Sequence, residues 1–231
     1  MKYDAVIFDL FGTLIDKFSL QESLNVLRQM ASALSAPPDD FIRWWFDTFN
    51  MRDVGAFQSL EANIEYICNK LDIHPADTHI TLAAQIDREY IAHSIKPRPH
   101  ATELLSYLKS LGCKTGLITN CTSEVAIVWK DMPFAPSIDV AVFSCLEGLR
   151  KPDPRIYNLA IEKLAVEPEN CLYIGDGDSK ELTGASQVGM HPVLIRDPDE
   201  NSAEVHRVNF EGKEWEGPVI SSLKDVLTLV E

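Results

Sequence analysis

The stretch AVIFDLFGTLID, residues 5–16, places one carboxylate, Asp9, directly after an apolar run. Gly12 follows it and lets the chain turn sharply, because glycine adopts backbone conformations that other residues avoid. Carboxylates form covalent intermediates in hydrolases and phosphotransferases. Asp9 is therefore a candidate nucleophile, although an aspartate before a glycine is by itself ordinary turn chemistry.

Three further stretches add polar groups that complement this carboxylate. In LITNCTSE, Thr119 offers a hydroxyl and Asn120 a backbone donor just before a predicted helix, where anions bind well. In GLRKPDPRIY, Lys151 is a cation able to bind phosphate and to keep Asp9 ionised. In YIGDGDSKELTGA, Asp176 would repel Asp9 unless a divalent cation lay between them, and such oxygen ligands suit Mg²⁺.

The elements that must position these groups form an alternating pattern. Short apolar runs typical of buried parallel strands cover 3–8, 114–118, 138–143, 171–174 and 192–195. Helical patterns cover 99–111, 122–131, 154–165, 179–188 and 221–230. This alternation predicts a doubly wound, Rossmann-like α/β sheet, whose strands share one carboxyl edge. We therefore expect the four stretches to converge there.

Residues 16–95 interrupt that pattern. They contain no convincing strand, and apolar residues recur at helical spacing in 20–34, 41–51, 60–71 and 78–93. We predict an all-helical cap domain over 16–95, inserted into an α/β core formed by 1–15 and 96–231. The KPRPH segment, residues 96–100, is the predicted linker back to the core.

Composition narrows the range of functions. The 231 residues are 45% hydrophobic, which is ordinary for a globular protein, and the net charge is −14. The acidic balance argues against nucleic acid and anionic membranes as partners and leaves a small-molecule substrate. No apolar stretch is long enough to span a bilayer, and the N-terminus lacks the order of a secretory signal. Five scattered cysteines indicate a reducing cytoplasm, whereas the oligomeric state stays open.

Taken together and in this order, the four stretches resemble the motifs of the haloacid dehalogenase (HAD) superfamily, and the resemblance spans nearly the whole chain. It implies that Asp9 is the nucleophile and that Thr119 and Lys151 bind the transferred group. It implies further that Asp176, with Asp9 and the backbone carbonyl of Phe11, binds Mg²⁺. The insert resembles the cap that one branch of the superfamily carries between its first two motifs.

Phe11 is the main departure from that pattern. Phosphatases of the superfamily usually carry a second aspartate there, which protonates the leaving group, and such a group contributes roughly 10²–10⁴-fold in rate. The 2-haloacid dehalogenases also lack this aspartate, because a halide leaves without a proton. They lack the metal-binding aspartate too, however, whereas this chain keeps Asp176, with Asp178 and Glu181 close behind.

We weigh the retained metal ligand more heavily and interpret the chain as a Mg²⁺-dependent hydrolase. The predicted activity is that of a phosphatase on a small phosphorylated metabolite, through an aspartyl-phosphate. One alternative is a metal-independent 2-haloacid dehalogenase, and another is a catalytically weakened binding or regulatory protein. A phosphonate-cleaving branch uses a cap lysine, but the sequence singles out neither Lys17 nor Lys70 for that role.

Specificity is expected to come from the cap. Arg52 lies beside Gly55 in MRDVGAFQSLE, the kind of loop that family caps turn toward the active site. A substrate-binding role and a surface role carry equal weight for Arg52. Arg43 is a second candidate, although it also fits a solvated helix face.

Overall fold

The computed structural model describes residues 1–196 and 209–231, and its centre is an all-parallel sheet of six strands. The strands are β1 Ala5–Phe8, β2 Lys114–Thr119, β3 Val140–Phe143, β4 Cys171–Gly175, β5 His191–Ile195 and β6 Val219–Ile220. They lie in the order β3-β2-β1-β4-β5-β6, so β1 occupies the middle of the sheet. The predicted doubly wound α/β class is confirmed.

Eleven helices have bounds in the described residues. The first five belong to the segment inserted after β1: α1 Leu20–Ala33, α2 Pro38–Asp47, α3 Phe49–Arg52, α4 Leu60–Lys70 and α5 Asp77–Ser94. The others follow them in the core: α6 Ala101–Ser110, α7 Ser123–Val128, α8 Ser144–Glu147, α9 Pro154–Leu164, α10 Glu181–Gln187 and α11 Val226–Val230. None of these helices is long and apolar enough to cross a lipid bilayer.

The sheet is buried on both faces. Along β1, Val6 and Phe8 belong to one apolar cluster, and Ala5 and Ile7 belong to another on the opposite face. A strand that is covered on both sides needs apolar side chains at every position, because successive side chains point to opposite faces. This explains why β1 reads as an uninterrupted apolar run and why the first polar residue after it, Asp9, lies at the sheet edge.

A third apolar cluster lies wholly within the inserted helices, in a part of the chain that runs from Leu27 to Ala84. It supports a separate cap body, although the predicted bounds at residues 16 and 95 stay a prediction. The chain passes between cap and core at two adjacent places. The Asp16 N–H donates to the Lys96 carbonyl at 3.2 Å, and the Arg98 N–H donates to the Leu14 carbonyl at 2.9 Å. The predicted KPRPH linker therefore runs beside the segment that enters the cap.

Two local predictions were wrong, and one short strand was not predicted. The helix predicted over 41–51 is divided at Thr48, whose hydroxyl donates to the Trp44 carbonyl at 2.9 Å. The helix predicted to begin at residue 179 begins at Glu181, because Ser179 and Lys180 adopt positive φ angles of 57° and 53°. The two-residue strand β6 carries no pattern long enough to predict, and its pairing with β5 defines it.

Gly55 marks a close approach between the cap and the core. It has a φ of +68°, and a Cβ at this position would lie 2.1 Å from the Cys145 carbonyl oxygen in α8. Gly148 has the same φ of +68°, but a Cβ there would meet no atom of the described residues within 4 Å. A comparison of alanine substitutions at the two glycines therefore distinguishes the cost of the left-handed backbone from the cost of a steric clash.

Gly148→Ala should cost only the left-handed conformation, roughly 1–2 kcal/mol in the free energy of unfolding. Gly55→Ala should cost that amount plus the displacement of α8, roughly a further 1–3 kcal/mol. Urea denaturation of both variants measures the difference. Equal losses would show that the cap loop does not press on α8 in solution.

Candidate active site

A compact turn after β1 holds Asp9 at the carboxyl edge of the sheet. The Gly12 N–H donates to the Ile15 carbonyl at 2.8 Å, and the Leu14 N–H donates to the Leu10 carbonyl at 2.9 Å. The Thr13 hydroxyl donates to Asp9 Oδ2 at 3.4 Å. The carboxylate is therefore fixed by its own turn, and only 5% of Asp9 is exposed.

Lys151 connects two carboxylates across this edge. Its ammonium group donates to Asp9 Oδ1 and to Glu181 Oε2, and the side chain is buried. The Asn120 side chain holds the Lys151 backbone, accepting its N–H at 2.8 Å and donating to its carbonyl at 3.3 Å. The structure thus brings together three of the residues singled out in the sequence, Asp9, Asn120 and Lys151.

Glu181 is held rigidly at the other end of this bridge. It is fully buried and accepts the Gly177 N–H at 2.9 Å and the Tyr173 hydroxyl at 2.9 Å. Gly175 makes room for it, because a Cβ there would lie 2.4 Å from Glu181 Oε1. The sequence drew attention to Glu181 but gave no sign of its ion pair with Lys151, which depends on the packing of β4 against α10.

Asp9, Asp176 and Glu181 form a buried cluster in which one carboxylate oxygen of each lies within 4.8 Å of the others. Burial raises the pKa of Asp9, with Lys151 opposing and Asp176 adding to the rise. Burial also raises the pKa of Glu181 well above its ordinary value. Burial disfavours the Lys151 ammonium, but Asp9 and Glu181 outweigh it and raise the lysine pKa. Hard oxygen donors that repel one another in this way fit a Mg²⁺ ion.

Thr119 lies fully buried at the end of β2. Its hydroxyl oxygen has no hydrogen-bond partner within the described residues. Buried hydroxyl groups are nearly always paired, so an unpaired one at a strand end favours contact with a ligand. Its predicted role in binding the transferred group stays a prediction.

The Phe11 side chain points toward the cap. It packs edge-on against Phe18 with ring centroids 5.2 Å apart, and Phe18 lies 5.5 Å from the ring of Tyr90 in α5. These three residues form an aromatic cluster that joins the Asp9 turn to the cap. The position that carries an acid in related phosphatases is here part of an apolar contact, and the Phe11 carbonyl as a metal ligand stays a prediction.

Lys17 is a functional candidate that the sequence named without giving it a role. Its ammonium group contacts Asp176 Oδ2 and lies 2.6 Å from Asp178 Oδ2. The tight turn after β1 returns the chain to this point, which residue spacing alone does not reveal. Gly12 is required here, because a Cβ would lie 2.5 Å from Asp176 Oδ2 and 2.7 Å from Lys17 Cε.

A cavity of about 240 Å³ separates this edge from the cap. Asp9, Asn120 and Lys151 line its floor on the core side. Apolar residues make up most of its walls and include Phe11, Phe18, Val26, Leu27, Trp45 and Phe49. The cavity is therefore largely apolar, with Asp9, Asn120 and Lys151 grouped on its core side.

Arg52 lies in the cavity wall and is only 8% exposed, so the alternative prediction, that Arg52 is a solvent-exposed surface residue, is wrong. Its guanidinium carbon lies 4.1 Å from the Trp45 ring centroid, and Nη1 donates to the Trp45 carbonyl at 2.8 Å. Its Nε has no partner within the described residues. Arg43 instead pairs with Asp40 on an exposed helix face. Substrate binding by Arg52 stays a prediction.

Two buried acids share the Arg52 environment, Asp87 of α5 and Glu124 of α7, and both line the cavity. Burial raises the pKa of Asp87 to about 7, with Glu124 adding to the rise and Arg52 and Arg88 opposing it. Burial lowers the pKa of Arg52 to about 10, against the opposing pull of Asp87, Glu124 and Asp53. The sequence gave no sign of this cluster, because its members meet only when the cap covers the core.

A turn that bears a buried carboxylate after the central strand of a parallel sheet, under a helical cover, is typical of the class of capped α/β hydrolases. The chain belongs to the haloacid dehalogenase-like hydrolase family, which residues 3–189 match. The recognition made from the four motifs is therefore confirmed. The chain is an enzyme of the hydrolase class.

Among full-length relatives, the glyceraldehyde 3-phosphate phosphatase of Pyrococcus furiosus is 24% identical over 98% of this chain and 92% of its own. The N-acetylmuramic acid 6-phosphate phosphatase of Pseudomonas aeruginosa is 26% identical over 88% of each chain. Acyl-CoA dehydrogenase family member 10 of Mus musculus is 32% identical over 45% of this chain, which covers only 10% of that protein. The first two of these relatives are phosphatases by name.

The structure of the 2-haloacid dehalogenase from Pseudomonas syringae pv. Tomato DC3000 superposes with a TM-score of 0.72 at 19% identity, covering 98% of this chain and 97% of its own. At this level of identity the likeness establishes the fold alone. The choice between phosphate and halide chemistry therefore rests on the residues of the site.

The raised pKa of Asp87 predicts a specific pH dependence of stability. Between about pH 4 and pH 7 the unfolded chain releases the Asp87 proton while the folded chain keeps it, so the free energy of unfolding falls as pH rises. Asp87→Asn removes this contribution, and its stability should fall less than that of the wild type across the same range. Urea denaturation at about pH 4.5 and about pH 7.5 measures the difference. Asp39→Asn, an exposed acid in α2, is the control, and an Asp87→Asn slope equal to that of the wild type would contradict the prediction.

Proposed function

We propose that this protein is a Mg²⁺-dependent phosphatase that hydrolyses a small phosphate ester through an intermediate on Asp9. The observation that carries the proposal is the buried cluster of Asp9, Asp176 and Glu181, in which Asp9 and Glu181 share the ammonium group of Lys151. A metal-independent dehalogenase has no use for the Asp176 carboxylate. A phosphatase uses it, because a divalent cation offsets the charge of both the site and the phosphoryl group.

The proposed reaction begins when an Asp9 oxygen attacks phosphorus and the bond from phosphorus to the ester oxygen breaks. The organic product leaves as an alkoxide that takes up a proton, and the phosphoryl group stays on Asp9. Water then hydrolyses the acyl phosphate, which releases inorganic phosphate and restores the carboxylate. Lys151 keeps Asp9 ionised before attack and stabilises the phosphoryl oxygens, with Thr119 and the Asn120 N–H as further donors.

Asp9, Asp176 and the Phe11 carbonyl would hold the Mg²⁺ ion, which supplies positive charge to the phosphoryl oxygens when bound. Glu181 would act on Lys151 by orienting it rather than by contacting substrate. The contacts of Glu181 support this role, because its oxygens accept hydrogen bonds from Lys151, Tyr173 and the Gly177 N–H.

The cavity bears on the substrate. Its walls are largely apolar, and Arg52 offers a guanidinium group whose Nε is unpaired within the described residues. We propose a small, partly apolar phosphate ester, with Arg52 contacting the part of the molecule distant from phosphorus. The cysteines are free thiols, which suits the cytoplasmic location proposed for the enzyme.

Dehalogenation of a short 2-halo acid is the second candidate. Phe11 favours it, because its ring extends the apolar wall instead of supplying an acid. A halide needs no proton to leave, so the missing aspartate would cost nothing. The third alternative is a catalytically weakened binding or regulatory protein. In that case the same pocket would bind a phosphorylated ligand without turnover.

A substrate panel tests the proposal directly. Alkyl phosphates of increasing chain length and short 2-halo acids should be assayed with Mg²⁺ and with chelator. We expect phosphate release that requires Mg²⁺ and that rises with chain length, because the cavity wall is apolar. Asp9→Asn should lower turnover by at least about 10³-fold, since it removes the nucleophile. Halide release that persists in chelator would establish the dehalogenase, and binding without turnover would establish the binding protein.

Replacing Phe11 tests whether the missing acid limits the rate. Phe11→Asp should raise turnover of alkyl phosphates, by up to roughly 10²-fold, because their leaving groups need a proton. Aryl phosphates should gain little, because their leaving groups do not. Phe11→Asn is the matched control, since it removes the same contact with Phe18 but transfers no proton. Equal turnover by the two variants on alkyl esters would show that position 11 is not the site of a lost acid.

A further inference from the structure

We infer that Lys17 is a built-in competitor of the divalent cation: its ammonium group occupies the metal-facing side of Asp176 and must leave before Mg²⁺ binds. This inference rests on the proposed metal site. It concerns how that site is filled, which the four motifs do not address.

Asp176 has a partner within the chain on each of its carboxylate oxygens. Its Oδ1 accepts the Asp178 N–H at 3.2 Å, and its Oδ2 contacts the Lys17 ammonium group. Both oxygens of the proposed ligand are therefore engaged by groups of the chain itself. A cation that approaches Asp176 from the cavity meets Lys17, because Lys17 and Asp178 line the cavity beside it.

The position of Lys17 is enforced by its surroundings. Its side chain is 7% exposed, although most lysines are solvated, and its Cε passes over the space left by the missing Cβ of Gly12. Its ammonium group contacts Asp176 Oδ2 and lies 2.6 Å from Asp178 Oδ2. The ammonium group is thus held between two carboxylates beside the predicted metal ligands.

The Lys17 ammonium group and a Mg²⁺ ion compete for the same oxygen of Asp176. An ammonium group and a Mg²⁺ ion repel each other strongly at contact distance in a buried site. Two cations that use the same carboxylate oxygen therefore exclude one another. Asp178 gives Lys17 a second partner at 2.6 Å, toward which it can swing when Asp176 is taken by the metal.

The consequence is a weaker apparent affinity for Mg²⁺ than the carboxylates alone would give. If Lys17 holds Asp176 in about 90% of molecules, the apparent affinity falls roughly tenfold, because only the remaining fraction is competent to bind. Higher occupancy weakens the affinity in proportion.

The test is calorimetric titration of Mg²⁺ into the full chain without substrate. Lys17→Met keeps the length of the side chain over Gly12 and removes the charge, so it should bind Mg²⁺ at least about tenfold more tightly than the wild type. Lys17→Arg keeps the charge and should bind no more tightly than the wild type. Lys96→Met removes one charge from the exposed linker and controls for the change in net charge.

A second measurement keeps the test sound if Lys17→Met is unstable without metal. Its melting temperature should rise more on adding Mg²⁺ than that of the wild type, because ligand binding stabilises the folded state. Mg²⁺ affinity in Lys17→Met equal to or below that of the wild type overturns the inference. If chelator still abolishes wild-type phosphatase turnover, that result leaves the proposed function standing.

Discussion

One buried ammonium group, that of Lys151, carries the organisation of the active site. Three carboxylates meet at the carboxyl edge of the sheet, where burial would favour their neutral forms and so weaken Asp9 in its proposed role as nucleophile. Lys151 makes the arrangement tolerable by sharing its charge between Asp9 and Glu181. Removing one partner of such a buried pair costs far more than the pair contributes, so each member constrains the others.

Much of the surrounding architecture maintains that one interaction. Asn120 of the β2 loop fixes the Lys151 backbone, and Tyr173 of β4 fixes Glu181. Gly175 provides the space that Glu181 fills. Contributions from separate strands converge because parallel strands end at the same edge. The cap adds the complementary condition, since its largely apolar wall lies over this edge, and charge interactions are stronger in surroundings of low polarity.

The sequence was sufficient for the fold class and for the convergence of Asp9, Asn120, Lys151 and Asp176, because apolar periodicity and strand ends are local signals. It was insufficient for Lys17, whose contact with Asp176 depends on a turn closed by tertiary packing. The cluster around Arg52 was also out of reach, since Asp87 and Glu124 lie on helices of different bodies. Short elements such as β6 and α8 were missed because they have no period of their own.

The central position of β1 has a consequence for how the chain acquires its structure. Ala5 pairs with Lys114 and with Cys171, so both neighbours of the first strand are made only after the entire cap. During synthesis the Asp9 turn emerges before the cap, when β1 has no neighbouring strand to pair with. The cap, in contrast, has its own apolar cluster within a contiguous stretch of sequence. Local contacts form faster than distant ones, so the cap is expected to fold ahead of the core. The edge that carries Asp9 would then be among the last parts of the molecule to be assembled, when β4 pairs with the second side of β1.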